Sequence, residues 1–228
     1  IKVGESPEWL KRDLLAVGLR SINNIVDITN YIMLDLGQPM HAFDSSKLKN
    51  QNSKVIGIKI KRASKGENFI ALDGSKHELD ENVLVVADTE KAVALAGVMG
   101  GVGSGITNDT TTIIFESANF NPASIRKTST RLGLRTDSAM RFEKSLDPNL
   151  CETALNKAVE MVMEVCPEAK VASKVVDKKH FTLQVGPIMV DTDIFKKKLG
   201  VEIPEKEILR ILNKLGFEVK QKKNFLSL

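Results

Sequence analysis

Apolar residues along the first quarter of the chain recur at helical spacing. Trp9, Leu10, Leu14 and Val17 follow Ser6-Pro7-Glu8, which reads as a helix start with Ser6 as cap, proline first and an acid in the first turn. Gly18 is expected to end that helix. A second helix is predicted from Ser21, with Ile22, Ile25, Val26, Thr29, Ile32 and Met33 on its apolar side, and Gly37-Gln38-Pro39 stops it. The period then shortens. Ile56, Ile58 and Ile60 alternate with small or basic residues, which predicts a half-buried strand. Phe69 to Leu72 is short and apolar, and Asp73-Gly74 behind it is a hairpin turn. Val83–Ala87 and Ala92–Ala96, separated by Asp88-Thr89-Glu90, predict a second hairpin. A glycine-rich loop runs from Gly97 to Gly105, and Thr112–Phe115 reads as a buried strand ending at Glu116.

Helical patterns return after that. Asn121-Pro122 opens one, a basic loop spans Arg131 to Ser138, and Asp147-Pro148 starts a long amphipathic helix through Leu155, Val159, Val162 and Val165. Strands followed by mixed helices indicate an α+β fold rather than an alternating parallel sheet. Composition shifts at Lys178-Lys179-His180. We therefore expect a main body over residues 1–178 and a small helical piece over 179–228. In that second piece Ile188–Leu199 and Pro204–Leu215 are predicted helices, each followed by glycine, and Phe217-Glu218-Val219 begins a strand.

Composition narrows the classes. The chain has 228 residues, 42% hydrophobic and 27% charged, which suits a packed globular core. The 33 basic and 29 acidic residues leave +4, an excess that permits a nucleic-acid partner without arguing for one. Cys151 and Cys166 form no CxxC or Cys/His cluster, so neither zinc nor a disulfide framework is indicated, and a reducing compartment suits them. No apolar run reaches the ~18 residues of a membrane-spanning helix. The first residue is Ile1, not Met, and an internal piece of a longer polypeptide is expected.

Several segments invite chemistry, each with an ordinary reading beside it. The glycine loop could cradle an anion, but it lacks the Gly-Lys-Ser/Thr ending of a nucleotide loop and no helix pattern follows it. A tight turn, or close backbone approach to a ligand, is the better reading. His41, beside Phe43, is either structural or a pocket group, and no nucleophile motif accompanies it. Glu116 is either a solvated strand end or a carboxylate aimed into a pocket. Arg126, Lys127, Arg131, Arg135, Arg141 and Lys144 lie close together, opposed by Asp137, Glu143 and Asp147. They form either a phosphate-contacting face or a mixed solvated surface.

Taken together, certain segments carry a family likeness. Gly18-Leu19-Arg20-Ser21-Ile22-Asn23-Asn24-Ile25-Val26-Asp27 leads into Thr29-Asn30-Tyr31 and Gly37-Gln38-Pro39-Met40-His41-Ala42-Phe43-Asp44. Downstream come Ala96-Gly97-Val98-Met99-Gly100-Gly101, Glu116-Ser117-Ala118, Gly133-Leu134-Arg135-Thr136-Asp137-Ser138 and Arg141-Phe142-Glu143-Lys144 with Asp147-Pro148. Their order and wording resemble the B3/B4 region of the bacterial phenylalanyl-tRNA synthetase β subunit over roughly residues 5–178. From about residue 183 the tail resembles the start of the following B5 domain.

The resemblance implies a layered unit with a β-sandwich core and flanking helices. It implies a deacylation pocket in which Arg20, Pro39, Gly100, Glu116 and Ser138 bind substrate, while His41 and Thr136 position water or the ester. It also implies a cytoplasmic enzyme of two α and two β subunits acting on tRNA specific for phenylalanine, with Arg126, Lys127 and Arg131 toward the RNA. ATP and magnesium belong to the whole synthetase. No cofactor or metal is expected for this part.

An apolar pocket built for phenylalanine rejects an added hydroxyl only about a hundredfold. A second site that hydrogen-bonds the hydroxyl discriminates the other way by about 10⁴ or more, since phenylalanine leaves its polar groups unpaired. Glu116 is the natural acceptor for a tyrosine phenol, with His41 and Arg20 toward the ester and terminal adenosine. The rival reading is a non-catalytic tRNA-binding or subunit-packing module with a decayed pocket. A complete aminoacylating enzyme is excluded for this chain, because no adenylate-forming domain is visible.

Overall fold

A computed structural model describes residues 1–48, 57–182, 186–222 and 225–227. In chain order the elements are α1 (Glu8–Ala16), α2 (Asn24–Asp35), β1 (Met40–Asp44), β2 (Lys59–Arg62), β3 (Asn68–Ile70), β4 (Lys76–Glu78), β5 (Leu84–Ala87), β6 (Ala92–Leu95), β7 (Met99–Gly100) and β8 (Ile113–Ser117). There follow α3 (Pro122–Leu132), α4 (Asp137–Phe142), α5 (Leu150–Val165), β9 (Met189–Asp191), α6 (Asp193–Leu199), α7 (Glu205–Lys214), β10 (Lys220–Lys222) and β11 (Phe225–Ser227). The fold is α+β with antiparallel pairing throughout these strands. Two compact units divide at Lys174–Val175, a little before the shift in composition at Lys178.

Helix starts differ from the sequence expectation for one shared reason. Ser6 and Ser21 do not cap. Both hydroxyls donate to the buried Asp27 carboxylate, each at 2.5 Å, and the Ile22 amide donates to its other oxygen at 2.8 Å. A buried carboxylate needs such partners, and it draws both serines away from helix ends. Asn23 caps α2 instead, accepting from the Ile25 and Val26 amides. The Asn121-Pro122 start is as read, with the Asn121 side chain accepting from Ser124.

The first unit holds two sheets that matter for the site. One is the order β2-β5-β6-β7, and the other is the two-stranded ribbon β1-β8. Alternation along the ribbon sorts its side chains. Ala42, with Met40, Ile113 and Phe115, joins a core made with Leu10, Leu14, Ile25, Ile28, Ile32, Ala158 and Met161 of α1, α2 and α5. Phe43 and Ile114 join the other core, with Val85, Val86, Ala94 and Leu95 of the larger sheet and Ile125 and Phe142 of α3 and α4. His41 and Glu116 share parity with Phe43 and Ile114, so they face the sheet.

β2 departs from the half-buried expectation, since all four of its residues are exposed. Ile60 lies in this edge strand and Ile58 just before it, its pairing among the described residues is with β5, and Ile56 lies outside the described residues. The Asp73-Gly74 turn closes the β3-β4 hairpin, with Gly74 at φ 84°.

The second unit, expected to be helical, also contains a three-stranded antiparallel sheet in the order β10-β11-β9. The apolar run at Ile188 is short enough to read as helix or strand, and its Met189–Asp191 portion pairs with β11. Gly200 and Gly216 end α6 and follow α7 at positive φ, and Ile208 and Leu226 are buried.

Candidate functional site

The ribbon register sets His41 directly opposite Glu116. Directly opposed residues project to the same face, with Cβ atoms about 4.5–5.5 Å apart. Both line one cavity of about 90 Å³. A single water needs only about 10–15 Å³, so the space takes several waters or a ring-sized group. Pro39 and Met40 complete the ribbon side of the wall, Val86 and Ala94–Met99 come from the sheet side, and Gly100, Ser138 and Phe142 close it.

The glycine loop is shaped by close packing. Gly97 has φ 66°, and a Cβ there would lie 2.8 Å from Phe120, 3.0 Å from Phe142 and 3.1 Å from Ile125. A Cβ on Gly100 would lie 2.5 Å from His41 Cε1 and 2.8 Å from its Nε2. Gly100 is therefore the bare backbone against which the imidazole rests. On its other flank the ring meets Phe43 edge-on, with centroids 4.5 Å apart.

His41 Nε2 is buried without a hydrogen-bond partner among the described residues. The half-buried Glu116 carboxyl forms no ion pair among them. Burial holds the imidazole neutral by lowering its pKa from 6.5 to about 4. Burial raises Glu116 from 4.5 to about 7. Near neutrality the wall thus presents an uncharged imidazole and a carboxyl that exists in both protonation states.

The other expected site residues separate into two groups. Pro39, Gly100 and Ser138 line the cavity, and the Ser138 hydroxyl donates to the Gly97 carbonyl at 3.3 Å. Thr136 and Arg20 do not line it. The Thr136 hydroxyl is committed at both ends, donating to the Val98 carbonyl at 2.7 Å and accepting from the Ala139 amide at 3.1 Å. It caps α4 and ties that helix start to the backbone of Val98, a wall residue. Arg20 is exposed on the loop after α1.

The basic stretch is largely neutralised from within. Arg131 pairs with Asp80, Arg135 and Lys144 share Glu143, and Arg141 pairs with Asp137. Arg126 and Lys127, exposed on α3, have no such partner among the described residues and stand beside a groove that Arg131, Asp80 and Asn82 also line. Among the described residues no group of three His, Cys, Asp or Glu side chains is arranged to hold a metal ion, and no helix is long and apolar enough to cross a membrane.

Sequence reasoning passed over the sheet-side wall and Gln38. Val86, Ala94 and Leu95 read only as strand core, and nothing in their pattern marks a cavity. Gln38 read as part of a helix stop, yet it is fully buried.

A small cavity of mixed polar and apolar lining, with His41 and Glu116 on one wall inside an antiparallel α+β unit, defines a candidate small-ligand site. A family model described as the B3/4 domain matches residues 1–167, and the chain belongs to that family. The phenylalanine–tRNA ligase beta subunit of Solibacter usitatus is 43% identical over 221 residues, covering 97% of this chain and 28% of the relative. That of Geobacter metallireducens is 42% identical over 217 residues, covering 95% and 26%. That of Carboxydothermus hydrogenoformans is 43% identical over 221 residues, covering 96% and 27%. The chain spans about a quarter of the length of these curated relatives.

Proposed function

We propose that the cavity is the editing site of a phenylalanine–tRNA ligase, hydrolysing the ester of tyrosine mischarged on tRNA specific for phenylalanine. The observation that carries this reading is the pairing of His41 with Glu116 on one wall of the cavity, with His41 Nε2 lacking a hydrogen-bond partner and Glu116 lacking an ion pair among the described residues. Glu116 accepts the phenol hydroxyl. With phenylalanine bound, the same group would be buried with nothing to bond. His41, resting on Gly100, faces the ester. An aminoacyl ester is already activated, so a positioned water is the nucleophile. Thr136 serves by holding Val98, and Ser138 by shaping the amino-acid side.

This reading places the chain in a β subunit that works with an α subunit, two of each, in the cytoplasm. The ligase as a whole uses ATP and magnesium, and the editing step uses no cofactor. Arg126 and Lys127 contact the tRNA backbone, with Arg131 held to Asp80 beside them. A decayed packing module would have no use for this pair on a cavity wall.

The test is hydrolysis of preformed tyrosyl-tRNA and phenylalanyl-tRNA, both on tRNA specific for phenylalanine, by the intact ligase. Rapid release of tyrosine with phenylalanine spared supports the reading. Equal and uncatalysed release of both would end it.

A further inference from the structure

We propose that Gln38 is a positioning residue for the site, clamping the open end of the ribbon so that His41 and Glu116 keep their register. Its functional consequence rests on the hydrolytic reading above, while the clamp itself rests on geometry.

Gln38 is 0% exposed, which is rare for a glutamine. Its Nε2 donates to the Pro39 carbonyl at 3.0 Å and to the Ala118 carbonyl at 2.8 Å. The outermost ribbon pair is Met40 with Ser117, and His41 with Glu116 is the next pair inward. Pro39 and Ala118 are therefore the first residues beyond the ladder on either strand. Pro39 has no N–H to give the facing carbonyl. The Gln38 amide supplies the missing donor and joins both strands with one group.

A two-stranded ribbon is marginal by itself and opens from its ends. This end bears four wall residues, Pro39, Met40, His41 and Glu116. The amide orientation is fixed, because the reverse would set its oxygen against two carbonyl oxygens. In the fixed orientation Oε1 is buried and unpaired among the described residues. A leucine of similar size would remove that unpaired oxygen but would also remove the clamp.

Two variants test this, Gln38→Leu and Gln38→Glu. In the 228-residue chain, the His41 imidazole titration is followed by NMR. Gln38→Leu is expected to move it up toward that of an exposed imidazole as water enters the ribbon end. In the intact ligase, Gln38→Leu is expected to lower kcat for tyrosyl-tRNA hydrolysis about tenfold, the effect of roughly one lost hydrogen bond, with KM little changed. Gln38→Glu should recover activity as pH falls, because a protonated carboxyl regains one O–H donor. A folded Gln38→Leu with wild-type His41 titration and hydrolysis overturns the proposal. Should Gln38→Leu not fold, the absence of recovery at low pH in Gln38→Glu overturns it. Should the wild-type ligase not hydrolyse tyrosyl-tRNA, the functional reading fails and the His41 titration alone decides the clamp.

Discussion

His41 and Glu116 are cross-strand partners, one from β1 and one from β8, and burial drives their proton affinities in opposite directions. The same apolar wall that strips the charge from the imidazole resists the charge on the carboxyl. Each group stays available for a hydrogen bond because the other does not neutralise it.

Selectivity should reside in Glu116. Glu116→Ala is expected to lower tyrosyl-tRNA hydrolysis by about 10- to 100-fold, the range for a lost hydrogen bond to a charged group. The tyrosine-to-phenylalanine ratio should shrink with it. His41→Ala should slow hydrolysis more than it narrows the ratio. Initial rates on both charged tRNAs with the intact ligase measure this. A full tyrosine preference in Glu116→Ala would mean that another group reads the hydroxyl.

The opposed shifts also predict an unusual pH profile of stability. Glu116 has its folded pKa raised from 4.5 to about 7. Its contribution is complete below 4.5 and is lost as pH rises to 7. His41 has its folded pKa lowered from 6.5 to about 4, so its contribution grows as pH rises from 4 to 6.5. Between 4.5 and 6.5 the two slopes cancel. Glu116→Gln should therefore expose a rise of up to about 1.4 kcal/mol per pH unit there. Urea unfolding midpoints of wild type and Glu116→Gln across roughly pH 4–8 check it. Parallel curves would show that Glu116 titrates as an exposed acid.

Adjacent glycines should fail differently. A Cβ on Gly100 meets chiefly the movable imidazole of His41 and Leu72, whereas one on Gly101 sits 2.8 Å from the Val93 carbonyl of the backbone. Gly100→Ala is expected to displace His41 and impair hydrolysis with a small change in Tm. Gly101→Ala is expected to cost about 1–3 kcal/mol of stability by overpacking. Thermal unfolding beside hydrolysis rates separates the two, and a Gly100→Ala enzyme of full activity would contradict the placement of His41.

Salt dependence should distinguish the cations of α3. Neutralising Arg126 or Lys127 is expected to lower the log–log salt slope of tRNA binding by roughly 0.7–0.9 for each phosphate that the protein no longer neutralises. Arg131, paired with Asp80, should contribute less to the slope. Binding measured from low to moderate salt tests this, and unchanged slopes would make the face an ordinary solvated one.

Local chemistry was legible in the sequence where it acted locally. Asp73-Gly74 named its hairpin and Asn121-Pro122 its helix start, because the partners lie within a few residues. Ser6 and Ser21 misled because the group that claims them, Asp27, becomes a neighbour only on folding. Glu116 and His41 stood out as candidates, but their opposition depends on a register between strands far apart in the chain. Thr136 was singled out only by likeness, and its hydroxyl is spent on the Val98 carbonyl and the Ala139 amide, outside the cavity lining. Gln38 carried no local sign, since burial of one polar residue in a turn is a tertiary fact.

The β1-β8 ribbon has one face in each of two cores, with Ala42 and Phe115 turned to the helices and His41 and Glu116 turned to the cavity. It is a party wall. Reshaping the helix side, at Ala158 or Met161 for instance, would shift the wall without altering any residue that meets the ligand. Variants that broaden or sharpen what the cavity accepts should therefore arise among residues that never touch it, and a search confined to the lining would overlook them.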